Sequence, residues 1–102
     1  MLSKSSDLAE LDRRAQIVQG KVIELASLSL GRDLAASAMD ELLYGTQTGF
    51  DSIALMEFIL RLEEEFGISI PDEDLDPDVF GSISTIVAYV LRRLDKGAPS
   101  LQ

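Results

Sequence analysis

A chain of 102 residues, 46% hydrophobic and 26% charged, has the composition of one folded domain rather than of a disordered segment. It holds neither Cys nor His, which excludes disulfides and thiolate chemistry and removes the commonest general base and metal ligand, so catalysis would rest on carboxylates or serine alone. The net charge of −9 sits entirely between residues 51 and 80, where ten acids meet one base, Arg61; this one-signed field repels nucleic acid and anionic lipid and attracts basic protein surfaces.

The first residues lack the apolar stretch of a signal peptide, and no apolar run approaches the ~20 residues of a membrane span, which predicts a cytoplasmic protein. Asp7, with Glu10 three residues on, has the form of a helix start. Leu8, Leu11, Ala15, Val18, Val22 and Leu25 then follow at helical steps, predicting a long first helix with one apolar face. From residue 27 to residue 50 the pattern weakens around Gly31, Gly45 and Gly49, predicting a long loop with one turn near residues 39–44. Asp51 or Ser52 opens the most regular helix, which runs to Phe66 and stops at Gly67. Residues 68–71 read as extended, and the acidic stretch 72–81 as a turn or two of helix. Ser82 then caps a last helix carrying Ile83, Ile86, Val87, Val90 and Leu94, with a frayed tail after Asp95.

On the helix opened by Asp51 and Ser52, Leu55, Ile59, Leu62 and Phe66 fall in one narrow arc, the predicted core stripe, with Phe58 on its shoulder. Ile53, Met56 and Leu60 lie roughly opposite, among Glu57, Glu63 and Glu64. Two readings fit that second strip: burial against a neighbouring helix, or an apolar surface rimmed by carboxylates for partner docking. Asp51-Ser52 taken alone is a helix cap far more often than a functional pair. A serine at a helix start is nonetheless well placed to bear a phosphate, because unpaired backbone N–H groups and the helix dipole favour an anion there.

The segment Gly49-Phe50-Asp51-Ser52-Ile53 resembles the phosphopantetheine attachment motif of the acyl and peptidyl carrier proteins. Two further segments continue the resemblance in order, Leu62-Glu-Glu-Glu-Phe66-Gly-Ile-Ser-Ile70-Pro-Asp-Glu-Asp74 and Ser82-Ile-Ser-Thr-Ile86-Val-Ala-Tyr89-Val90, so that it covers about residues 44–91. The resemblance implies an all-α four-helix bundle with three long helices and a short third, forming a single carrier domain over residues 1–102. Its ordered core spans about residues 7–95, between short flexible termini. It implies a covalent 4'-phosphopantetheine on Ser52, supplied from coenzyme A by a phosphopantetheinyl transferase with a divalent metal, and flanked by Asp51 and Gly49. The arm ends in a thiol that holds cargo as a thioester.

The expected function is that of a discrete acyl carrier protein, a cytoplasmic monomer with no catalytic residues, no resident metal, and no nucleic-acid or membrane partner. A loading ligase or synthase with a basic surface docks on Ile53, Met56, Glu57, Leu60, Glu63 and Glu64. The alternatives are an aminoacyl or peptidyl carrier, or an unmodified helical interaction module in which Ser52 is a cap. Ala54 departs from the acid often found two residues after the serine, and Thr48 from the Leu often found four before it. No other constellation holds. Asp72-x-Asp74-x-Asp76 begins like a calcium loop, but Pro77 and Ile83 occupy the glycine and glutamate positions, so the run reads as a solvated acidic loop. Glu63, Glu64 and Glu65 point in different directions from a helix and make no catalytic pair.

Overall fold

The computed structural model describes residues 2–35, 39–44 and 49–97, with side chains between residues 13 and 95. Four α-helices form among them: α1 (Leu2–Leu30), α2 (Ser52–Phe66), α3 (Pro77–Phe80) and α4 (Ile83–Gly97), with a 3₁₀ turn at Asp72–Asp74. The expected all-α bundle of three long helices and a short third is the observed architecture.

The apolar steps of α1 deliver Val18, Val22 and Leu25 to the core together with Ala26, while Ala15 is half-buried and the Leu8 and Leu11 side chains lie outside the described residues. Both ends of α1 differ from the sequence expectation. Its helix already runs at Leu2, so Asp7 lies inside it rather than at its start. At the other end it passes Ser27 and stops at Gly31, whose φ of +72° is the left-handed geometry that glycine adopts without strain. Two serines that read as loop formers are accommodated by local bonds. The Ser29 hydroxyl donates back to the Leu25 carbonyl (3.0 Å), and the Ser27 hydroxyl accepts the Leu34 N–H (3.0 Å), tying the following loop to the helix end.

Helix α1 packs against both α2 and α4, and α3 rests on α4. The α1 and α2 chains run antiparallel, since Lys21 meets Glu65 (3.9 Å) while Ser29, two turns later, accepts from Arg61 (3.2 Å). Arg14 pairs with Asp95 of α4 at 2.9 Å. The core stripe of α2 is rotated slightly from its predicted centre. Phe58, Ile59 and Leu62 are buried, with Phe58 and Leu62 fully so, whereas Leu55 and Phe66 are only half-buried. Phe58 is therefore the centre of the stripe and not its shoulder, because neighbours enclose it on two sides: its ring stacks on Phe50 at 4.8 Å and meets Phe80 edge-on at 6.4 Å.

The acidic stretch after α2 is less solvated than its composition suggests. Asp76 caps α3 by accepting the Val79 N–H at 3.0 Å, and Asp74 accepts the Tyr89 hydroxyl at 2.6 Å. Burial, and then that bond to a carboxylate, push the Tyr89 hydroxyl up to about 12 from the ordinary 10.0. Ser82 caps α4 as expected, through a reciprocal pair in which Ser82 Oγ accepts the Thr85 N–H and Thr85 Oγ1 accepts the Ser82 N–H. No helix among the described residues is long and apolar enough to cross a membrane.

Candidate functional site

The site is the start of α2, and its position follows from the residues that precede it. After α1 the chain makes a turn at Met39 and Asp40, then extends through Leu43, whose N–H donates to the Gly81 carbonyl (2.7 Å) and whose carbonyl accepts from Phe50 (2.8 Å). Tyr44 and Phe50 pair as a short parallel bridge; residues 45–48, including Thr48, lie outside the described residues. With Phe50 driven into the core against Phe58, Asp51 has to emerge at the surface. It does so in an extended conformation (φ −85°, ψ −177°) that lets its side chain fold back over the first turn of α2.

Asp51 Oδ1 accepts the Ala54 N–H at 2.7 Å, and the Asp51 carbonyl accepts the first helical bond from Leu55 at 2.9 Å. The cap of α2 is therefore Asp51, and the alternative in which Ser52 caps the helix is corrected. Ser52 is the first helical residue and is exposed, and among the described residues it makes no cap bond to α2. The N–H groups of Ser52 and Ile53 precede the first helical bond and are not spent within the helix. A hydroxyl beside two such groups, at the positive end of a fifteen-residue helix, has the donors to settle a phosphodiester. A 4'-phosphopantetheine fits these residues, and Gly49, two residues ahead of the cap, is half-buried.

The outward face of α2 is as the periodicity predicts. Ile53, Met56 and Leu60 are 73%, 61% and 58% exposed, so three large apolar side chains form a strip in water and the reading that buries them is excluded. Glu57 and Glu64 flank the strip, both exposed. Glu57 lies 3.7 Å from Arg61, whose guanidinium also donates to Ser29 on α1. Glu63 behaves differently: half-buried, it accepts the Ile70 N–H at 2.8 Å through Oε2 and fastens the segment after α2. Of the six residues expected at the docking surface, five share the open face of α2 and Glu63 serves the fold.

Sequence reasoning missed two features of the described residues. One is an exposed apolar pair, Leu42 and Tyr44, on the extended segment that pairs with Phe50. Alternation with buried Leu43 is its signal, two residues apart on one side of an extended chain. The other is the bond from Tyr89 to Asp74, which joins residues fifteen apart and leaves no local pattern.

Comparison with known proteins agrees with this geometry. Residues 21–90 match the family model described as the phosphopantetheine attachment site. The chain is 41% identical over 64 residues to the actinorhodin polyketide synthase acyl carrier protein of Streptomyces coelicolor, covering 63% of this chain and 66% of that protein. It is 30% identical over 73 residues to the acyl carrier proteins of Rickettsia bellii and of an Exiguobacterium species, covering 72% of this chain and 86% and 89% of theirs. With more than half of its length matched by the family model and an exposed serine behind an aspartate cap at the start of α2, the chain belongs to the acyl carrier protein family, whose members bear a covalent 4'-phosphopantetheine.

Proposed function

We propose that Ser52 bears the arm and that the chain carries an acyl group as a thioester on the arm's terminal thiol. The observation that carries this reading is that Asp51 makes the cap bond, which removes the structural explanation for Ser52 and leaves an exposed hydroxyl at a helix start. Ser52 supplies the nucleophilic oxygen, Asp51 and buried Phe50 hold it at a constant place on the surface, and the first-turn N–H groups receive the resulting phosphodiester. Activation of the hydroxyl and all later acyl chemistry belong to partner enzymes, because this chain has no His or Cys to act as base or nucleophile. An acyl rather than an aminoacyl cargo is supported by the relatives, which are acyl carrier proteins.

The partners are a phosphopantetheinyl transferase and the enzymes that load and consume the acyl group, each with a basic docking surface. They seat on Ile53, Met56 and Leu60, with Glu57 and Glu64 steering and Glu63 adding its charge to the field while holding Ile70. We take residues 1–102 as one carrier domain, with its ordered core over about residues 7–95 and α1 continuing back to Leu2, that works as a monomer in the cytoplasm.

The test is the intact mass after incubation with coenzyme A, magnesium and a broad-range transferase. The wild-type chain gains one 4'-phosphopantetheine and Ser52→Ala gains none. A modified Ser52→Ala chain, or an unmodified wild type, overturns the assignment.

A further inference from the structure

The three long helices leave a surface groove of about 430 Å³ at the far end of α2 from Ser52. Arg13, Arg14, Ile17 and Val18 of α1, Phe66 of α2 and Leu94 of α4 line it. Ser52 and Phe66 are the first and last residues of α2, which the helical rise sets about 21 Å apart. Val18 is buried, Phe66 and Leu94 are half-buried and Ile17 is 64% exposed, so an apolar floor drawn from three helices meets water. The rim is cationic. Arg14 is tied to Asp95 at 2.9 Å, Arg13 stands exposed beside it, and Arg93, next to Leu94, donates to the Ser69 carbonyl at 2.6 Å just beyond α2. Lys21 and Glu65, beside the groove, offset each other at 3.9 Å, and among the described residues no acid lines it.

We propose that this groove is a second docking site, separate from the strip on α2, and that it takes an acidic protein segment. Such a segment lays a large apolar side chain on Ile17 and Phe66 and sets a carboxylate against Arg13. Charge complementarity chooses this occupant: the groove is rimmed by guanidinium groups, which pair with carboxylates through two parallel N–H donors, whereas the patch between residues 51 and 80 is of the opposite sign and draws basic surfaces. The two sites therefore select partners of different chemistry. Their separation along α2 lets one protein hold the chain by the groove while another works at Ser52 and the strip, which raises the effective concentration of the carrier beside that second partner. The groove itself is built from residues that play no part in attachment, so the inference does not rest on Ser52 bearing the arm.

The experiment titrates the isotope-labelled full chain with a synthetic helical peptide of roughly 15 residues, with leucine at helical steps and glutamate elsewhere, and follows backbone amide shifts. A second peptide carries glutamine in place of every glutamate. The acidic peptide is expected to shift the amides around Ile17, Phe66 and Leu94, and the glutamine peptide to bind at least about threefold more weakly. Arg13→Glu and Ile17→Ser should each weaken binding of the acidic peptide at least about threefold. Both side chains are exposed in the free chain, so helical content and the rate of transferase loading should stay at the wild-type level. Equal binding of the two peptides, or shifts confined to Ile53, Met56 and Leu60, overturns the inference while leaving the Ser52 assignment untouched. Shifts at both the groove and the strip that grow with chain concentration in the absence of peptide assign the groove to a second copy of the chain and overturn it too. Slower loading of either variant overturns the separateness of the two sites.

Discussion

Asp51 and Ser52 are adjacent, polar and both suited to a helix start, yet they do separate work. Asp51 holds the helix, and Ser52, the first helical residue, is the one proposed to bear the arm. Asp51→Ala is therefore expected to cost about 0.5–2 kcal/mol of stability in denaturant unfolding, the usual loss for a capping side chain. Ser52→Ala is expected to stay within about 0.5 kcal/mol of wild type, as an exposed first-turn position should. A larger loss at Ser52 than at Asp51 would reverse their roles. Which of the two caps α2 was open in the sequence, because both residue types cap equally well; it is settled by the extended backbone at Asp51, itself a result of Phe50 being drawn into the core. Tyr89 carries a pH effect of its own. Its folded pKa of about 12 exceeds the ordinary 10.0, so the neutral hydroxyl stabilises the fold fully below pH 10 and that contribution is lost as pH rises toward 12. Wild type should lose stability across that window, whereas Tyr89→Phe, less stable at neutral pH, should show a shallower fall; equal slopes in alkaline unfolding titrations would discount the Asp74 bond.

At the scale of the helix, α2 shows how far periodicity reaches. The angular spacing separates a buried side from a wet one, and Leu62 at 0% and Leu60 at 58% exposure stand on opposite sides as predicted. Leu62→Ala should cost roughly 2–5 kcal/mol through the cavity it leaves, while Leu60→Ala should change stability by no more than about 0.5 kcal/mol. Thermal or denaturant unfolding of the two variants decides the matter, and similar losses would undo the face assignment. Periodicity does not reveal which residue on the buried side is central. Phe58 takes that place through Phe50 and Phe80, which are remote in sequence. The ends of α1 were equally illegible. Serines 27 and 29 have weak helix preference as isolated residues, and their bonds to Leu34 and Leu25 remove the competition that their hydroxyls would otherwise offer.

Over the whole molecule the charge is lopsided: residues 51–80 hold the entire excess of −9, and the rest of the chain is balanced. A patch of one sign raises encounter rates with a basic partner by roughly 10–10³-fold at low salt. A carrier must also leave each partner, which suits a small and transient interface. Glu57→Lys combined with Glu64→Lys should therefore slow transferase loading several-fold with helical content unchanged, because both side chains are exposed. The wild-type rate should fall as added salt shortens the screening length to about 10 Å at 0.1 M. Undiminished loading and salt-independent rates would move docking to another surface. The linear order of residues was enough for the family, the helix that bears the attachment motif, its wet face and the sign of its field. Each depends on neighbours along the chain or on summed charge. The cap at Asp51, the diversion of Glu63 to Ile70, the Tyr89 bond to Asp74 and the ring contacts of Phe58 with Phe50 and Phe80 came only with folding. Except for the cap, these join segments that no local period connects, and the cap itself depends on where the buried Phe50 places the backbone that follows it.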